Sequence, residues 1–600
     1  MTTHQHLRYA MNYVLIGGLL FMCWLVSLGT PHLLTETFPH LGEQATILLV
    51  FFEAVMVLIF GFLAYELAKP TVIPSFVLAV FIGMLERVPL SALVGDSRVL
   101  TVLTTLGAAL ILFGGGLETP FTRFKKLIGP ILSLAFVATI VTALLVSIAL
   151  DSLSPALGFA LPIAAAILLG SALASTDPAA IIPSLKSLAF KNPRPRDLAV
   201  SESAINDVVG AVLTTVFLGL LLGAGGHVAE GPTADVTILG TYGQLFTAHT
   251  GLEILKELFV GCVVGALGFG ILHFWSKWKA RTGISSDADS ALFLAVPLAA
   301  YVLAVTLGGS GFLAVFVAGL LFNLEEHIQH VEHYFNHTIE GFMKPLIFML
   351  LGAVVDPAGL LAVAGPGIAL GLLFMFVIRP IAVFLSLTPF MFGKKGLHVR
   401  ELLFMSFVRE TGVIPAVLLM GLRVSGLEGA DTAVAIGLWV ILLTLVIQPP
   451  LTPFVAKRLG IATDMPPFPT IKHSKGPMAV LCSRGWSFLD RMRNVVDWAT
   501  EHSVRHVTLL HCPESRYSEQ FRQDVETQAT TLFTAINNEL ELQGKQPVEF
   551  SLVIRPGLLQ DNIESFLSKH ETSIVFVGSK MLDYRLTDVK RLKVPFVFLE

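Results

Sequence analysis

Residues 175–183 read STDPAAIIP and residues 201–210 read SESAINDVVG, and both stretches lie inside long apolar runs. An ionisable group at bilayer depth is costly unless it faces protein or water, so Asp177, Glu202 and Asp207 mark a functional interior. Pro178 has no N–H and pushes the residue before it away from helical geometry, which predicts a helix broken at Asp177. Broken helices at membrane depth persist where the freed backbone lines a cavity, and transporters use them in pairs. FVRETGVIPAVL, residues 407–418, supplies a matching interruption with Glu410, Thr411, Gly412 and Pro415. Two crossed interrupted helices meeting at one site bring helix ends of opposite sign together, with Asp177 and Glu410 able to neutralise the positive ends.

Composition agrees with a membrane setting. Of the 600 residues, 54% are hydrophobic and 14% charged, against roughly 25% charged in a soluble domain. Apolar windows of the length a bilayer needs fall near 12–29, 44–66, 71–86, 98–117, 127–150, 160–187, 199–224, 253–275, 290–308, 310–324, 340–355, 366–389, 400–423 and 431–455. The first window has a thin basic flank and no small-residue cleavage site, so it reads as a retained helix. The Lys- and Arg-rich loops, RFKK (123–126), KSLAFKNPRPR (186–196), SKWKAR (276–281), GKKGLHVR (393–400) and AKRLG (456–460), fall on one side. That asymmetry predicts both termini in the cytoplasm.

On the helix after the first break, Glu202, Ser203, Asn206 and Asp207 lie at i, i+1, i+4 and i+5, so Glu202 and Asn206 share a face, with Asp207 at its edge. Hard oxygen ligands on one face suit a small cation, and desolvation favours the protonated carboxyl. Protons and cations then compete for Asp207, which is sufficient for exchange. Glu202, a second buried anion, needs a countercharge; Arg379 in FVIRPIAVFL is the first candidate and Arg409 the second. Charges that only glue helices together leave the proline break and Asn206 beside Asp207 unexplained.

Through S-T-D-P, E-S-x-x-N-D, Gly309 to Gly319 (GSGFLAVFVAG) and the I-R-P of Ile378 to Pro380, the chain resembles the monovalent cation:proton antiporter superfamily, and within it the sodium/proton exchanger branch. The resemblance implies a secondary transporter, not an enzyme, with no required cofactor. It also implies an inverted-repeat, polytopic α-helical membrane fold of 13 core helices, here with one extra N-terminal helix, working as a homodimer with an elevator-like core. By the same resemblance Asp207 is the ion-binding carboxylate, Asn206, Asp177, Thr176 and Ser203 complete or support the site, and Glu202 pairs with Arg379. Asn-Asp, where the other branch has Asp-Asp, implies one cation exchanged per proton and electroneutral transport. FVRETGVIP departs from the Gly-rich L-R-G common in the family: Arg409 matches, and Glu410 adds a charge.

The expected domains are residues 1–40, an extra transmembrane helix; 41–457, the antiporter; 458–475, a linker containing DMPPFPTIKHSKGP; and 476–600, a cytoplasmic α/β domain. In the last, β-like runs at 478–482, 506–512, 547–554, 572–578 and 594–599 alternate with helical stretches, which argues for a parallel sheet covered by helices. It resembles the universal stress protein fold. Nucleotide-binding members carry a glycine-rich loop after the fourth strand; here VGSKMLDYRLTDVKRL keeps Gly578 and Ser579 without further glycines, so nucleotide binding is the lesser expectation.

EEHIQHVEHYFNH sets His327, His330, His333 and His337 on one helical arc; it reads first as a solvated amphipathic connector, with pH sensing and metal binding as the alternatives. No basic aromatic patch suggests nucleic acid, and the four scattered cysteines read as free thiols. The sequence thus leads to a cation/proton antiporter of the cell inner membrane, exchanging sodium, potassium or lithium. The competing reading is a membrane-embedded sensor signalling through residues 476–600. A channel is disfavoured, because paired charges at broken helices suit an occluded site.

Overall fold

The computed structural model describes the chain apart from its extreme ends and segments in connections, chiefly 37–42, 120–124, 177–184, 223–236, 283–288, 323–338, 465–477, 513–518 and 579–595. The chain divides into two compact units, one made mainly of residues up to Thr463 and one built on Asp464–Glu600.

The first unit is a polytopic bundle of apolar helices. Among the described residues seven are long and apolar enough to cross a membrane, including Ser97–Glu118, Arg194–Leu222, Ala248–Thr282 and Ala430–Arg458. Shorter apolar helices, including Ser75–Leu85, Ile163–Leu173, Gly311–Phe322, Lys344–Val354 and Val413–Val424, occupy the remaining windows. In lipid there is little hydrophobic drive between helices, so close backbone approach over small residues does the packing. Gly83 and Gly352 meet in this way: a Cβ at Gly83 would lie 2.0 Å from Met349 O, and one at Gly352 would lie 2.1 Å from Val80 O. Gly116 and Gly319 repeat the arrangement, with Phe316 O and Phe113 O at 2.5 and 2.3 Å. Neither backbone can give way, so both crossings require glycine on both helices.

Among the described residues three apolar runs contain π-helical turns, Ser133–Ala138, Ile339–Met343 and Phe374–Ile378, and the last two are each followed directly by a residue and a proline, Lys344-Pro345 and Arg379-Pro380. The proline cannot donate to the carbonyl four residues back. The helix absorbs the loss by widening: Arg379 N–H reaches Phe374 O, five residues back. Such π turns cluster at functional sites, and this one immediately precedes the buried arginine.

A short ladder joins β1 (Leu188–Phe190), just before the Arg194–Leu222 helix, to β2 (Ala462–Asp464), just after the Ala430–Arg458 helix. Lys191 N–H extends the ladder onto Ile461 O at 2.9 Å. The sequence reading leaves 462–464 in a linker; three residues are too few for strand alternation to register.

The second unit is a five-stranded parallel sheet in the order β5-β4-β3-β6-β7, where β3 is Met478–Ser483, β4 His506–His511, β5 Glu549–Ile554, β6 Ile574–Gly578 and β7 Phe596–Leu599. Its strands read as continuous apolar runs because both faces are covered. Leu481, Leu509 and Phe576 pack with Met492 and Val496 of the Phe488–Glu501 helix on one face. Val480, Leu510 and Val577 pack with Ile563 and Phe566 of the Leu559–Leu567 helix on the other. Asn537 ties the Glu519–Leu542 helix to the approach to β5, donating to Val548 O and accepting from Val548 N, each at 3.0 Å.

His511 ends β4 fully buried, its ring edge-on to Phe488 with centroids 5.9 Å apart. Burial holds this imidazole down to a pKa of about 4 from an ordinary 6.5. A depressed histidine pKa stabilises the fold above the unfolded-state value, and that contribution is lost as pH falls from 6.5 toward 4. The loss approaches about 3 kcal/mol when complete. Hydrogen exchange on the intact protein is expected to show β3 and β4 amides losing protection between pH 7 and 5, after correction for intrinsic exchange, and His511→Gln is expected to flatten that dependence. Equal pH dependence in the two proteins overturns the assignment.

Candidate ion-binding site

Glu202, Ser203, Asn206 and Asp207 lie in the middle of the Arg194–Leu222 helix, and all four are buried. Across from them the Ile163–Leu173 helix stops early, with Ala174 as its C-cap and Ser175 and Thr176 already non-helical. The helix therefore ends before Asp177. The reason is a competing bond: Thr176 N–H donates to Asn206 Oδ1 at 3.1 Å instead of to a carbonyl of its own helix. Asp177 itself lies outside the described residues.

Close approach is built in. A Cβ at Gly210, one turn beyond Asn206, would lie 2.8 Å from Ser175 Cβ. Farther along, Thr214 donates to Ser171 Oγ at 3.0 Å. These small polar residues bring the two helices together, and scattered Ser, Thr and Gly in an apolar run were the only sequence signal for it.

The polar groups form one connected network. Arg379 Nη2 donates to both oxygens of Glu202 at 2.9 Å. Glu202 Oε1 also accepts from Asn206 Nδ2 at 3.1 Å. That bond fixes the amide orientation, so Asn206 Oδ1 faces Thr176 and accepts from its N–H and, at 3.0 Å, from its hydroxyl. Thr176 Oγ1 in turn accepts from Asn206 Nδ2 at 2.7 Å. Ser203 Oγ lies 2.9 Å from Thr176 O and 3.0 Å from Thr176 Oγ1. Arg379 is wholly buried, and its hydrogen bonds among the described residues go to Glu202. Opposite charges this close neutralise each other in a medium where either alone would be expensive. Asp207 is buried on the same helix, 4% exposed, and lies outside the Arg379–Glu202 pair.

The second interruption separates the Val399–Phe407 helix from the Val413–Val424 helix. Val408, Glu410, Thr411 and Gly412 are non-helical and buried, and Arg409 lies outside the described residues. Freed backbone groups in an apolar interior need partners, and the Ala430–Arg458 helix supplies them. Gln448 Nε2 donates to Phe407 O at 2.7 Å, and Thr444 Oγ1 accepts from Thr411 N at 3.3 Å while also bonding the Thr411 hydroxyl. Glu410 is fully buried beside them.

Other expectations fare unevenly. His327, His330, His333 and His337 lie outside the described residues. Glu53, a carboxylate inside the apolar window 44–66, is fully buried and accepts from Leu93 N at 2.8 Å. Through Leu93 N–H it serves as a side-chain cap in the first turn of the short Ser91–Gly95 helix.

Comparison with known proteins agrees with this architecture. The K(+)/H(+) antiporter NhaP2 of Shewanella baltica is 26% identical over 461 residues, 75% of this chain and 73% of that protein. The Na(+)/H(+) antiporter ApNhaP of Aphanothece halophytica is 24% identical over 59% of this chain and 64% of its own. Among solved structures, the sodium proton antiporter MjNhaP1 of Methanocaldococcus jannaschii at pH 8 superposes with a TM-score of 0.53 at 21% identity, covering 67% of this chain and 99% of its own. The family model for the transmembrane sodium/hydrogen exchanger matches residues 54–458, which include both interrupted helices and the buried network. The chain therefore belongs to the sodium/hydrogen exchanger family.

Proposed function

We propose that the protein exchanges a monovalent cation, potassium or sodium, for a proton across the membrane, with both ions competing for Asp207. The observation that carries this reading is the division of labour on one buried helix. Glu202 is matched by Arg379 and holds Asn206, whereas Asp207 lies outside that pair. On this reading one carboxylate is committed to structure and the other loads either ion. A single loading carboxylate moves one positive charge in each direction per cycle, so exchange is one for one and electroneutral. The relatives' names divide between potassium and sodium, which supports a monovalent cation without choosing between them.

The same reading takes the two interruptions as crossed helices of inverted repeats, with thirteen core helices and the Thr3–Glu36 helix ahead of them. It has an elevator-like core in a homodimer, termini in the cytoplasm, and the second unit as a universal-stress-protein-like domain.

The test is cation-induced dequenching of a pH-sensitive dye in proteoliposomes. Sodium or potassium is expected to dequench equally with the membrane potential clamped at zero or left free. Dequenching that follows the potential contradicts one-for-one exchange. No dequenching with sodium, potassium or lithium removes the antiporter reading and favours the sensor.

A further inference from the structure

Beside the β1–β2 ladder the surface opens into a cleft of about 560 Å3, lined by residues just before the Arg194–Leu222 helix, the start of the Val399–Phe407 helix and the turn at Gly460. Lys191 and Arg400 are both exposed in its lining. Neither side chain makes an ion pair among the described residues. Arg400 Nη1 lies 3.6 Å from where a Cβ at Gly460 would stand, which places the guanidinium over the turn.

The cleft also contains Glu401, but that carboxylate is only 4% exposed and already engaged. Its Oε2 accepts from His398 N at 2.7 Å and its Oε1 from Asn192 Nδ2 at 3.5 Å. Two cations without countercharges among the described residues therefore face a cleft whose acid is turned inward, an arrangement that raises the local concentration of anions. A planar guanidinium beside a compact ammonium suits tetrahedral phosphoryl oxygens better than a single carboxylate. Pro195, Val399 and Ile461 line the remainder with apolar surface, which suits an organic body attached to the charged group.

We propose that this cleft binds a phosphate-bearing anion, supplied as a free phosphate compound or as the headgroup of an anionic lipid. The site is separate from the buried network of Glu202, Asn206 and Arg379, and the proposal goes beyond the exchange reading. Its measurement needs no transport, so the two readings fail independently.

The full-length protein in neutral detergent is titrated calorimetrically with inorganic pyrophosphate. In parallel, protein from nanodiscs with and without phosphatidylglycerol is examined by native mass spectrometry for retained lipid. Wild type is expected to bind one of the two probes. Lys191→Gln and Arg400→Gln are each expected to weaken that binding about tenfold, equivalent to about 1.4 kcal/mol, and the double variant to abolish it. Lys545→Gln, at an exposed lysine of the second unit, is expected to leave it unchanged. Both cleft residues are at the surface, and unchanged elution confirms that the variants fold. Pyrophosphate binding alone identifies a soluble ligand, and retention of phosphatidylglycerol alone identifies a lipid. Equal binding of a probe by wild type and the double variant, or no binding of either probe, overturns the proposal.

Discussion

Asp207→Asn is expected to reduce cation-dependent proton movement in proteoliposomes to the level of protein-free vesicles, while elution profile and thermal stability stay at or above those of wild type. The substitution keeps the side chain's shape and removes the group proposed to alternate between proton and cation. A carboxylate that loads an ion in an apolar interior is costly when unloaded, so replacing it with a neutral amide does not endanger the fold. Glu202 cannot take over, because both its oxygens are engaged by Arg379 and Oε1 also holds Asn206. The discriminating readout is flux per folded protein. Residual coupled flux above about a tenth of wild type, a loss of less than about 1.4 kcal/mol in transition-state terms, means that another carboxyl carries ions. Glu410, fully buried at the second interruption, is then the first to test.

What the sequence disclosed depends on how unusual each residue is in its surroundings. A charge in an apolar run is conspicuous, which is why Glu202, Asp207 and Arg379 could be singled out without coordinates. Pairing Glu202 with Arg379, 177 residues away, was legible because a buried anion requires a buried cation. The end of the first interrupted helix was not legible, because a tertiary bond from Thr176 to Asn206 overrides the local rule that places the break at Asp177. Thr444 and Gln448 were equally hidden: in an apolar helix they look like tolerated polar residues, and their role depends on which carbonyl and N–H the facing break leaves bare. In the second unit, the parallel strands were readable from alternation with helices at regular spacing. The order β5-β4-β3-β6-β7 came only from the fold, since strand neighbours are set by crossover geometry and not by any one strand's composition.

Arg379→Met is expected to cost about 3–5 kcal/mol, the range for removing one partner of a buried ion pair, and to appear as a lower thermal midpoint and a poor yield of folded protein. The cost comes from what remains. Glu202, 2% exposed, would keep its charge with Asn206 Nδ2 as its recorded partner. Glu202→Gln alone is expected to be harmful for the mirror reason, leaving a wholly buried guanidinium without an anion. Combining the two substitutions removes both charges and leaves the new side-chain amide carbonyl at position 202 able to accept from Asn206 Nδ2. The amide of Asn206 then keeps its orientation, and its Oδ1 still faces Thr176. The double variant is expected to recover most of the stability lost in Arg379→Met, because a buried pair contributes much less than the penalty for breaking it. It is also expected to retain measurable electroneutral exchange, since Asp207 is untouched. Recovery of the fold without exchange would mean that the charge of the pair, and not only its hold on Asn206, takes part in loading the ion. Failure to recover the fold would mean that Arg379 has a packing role in the widened turn before Pro380 that a methionine side chain cannot fill.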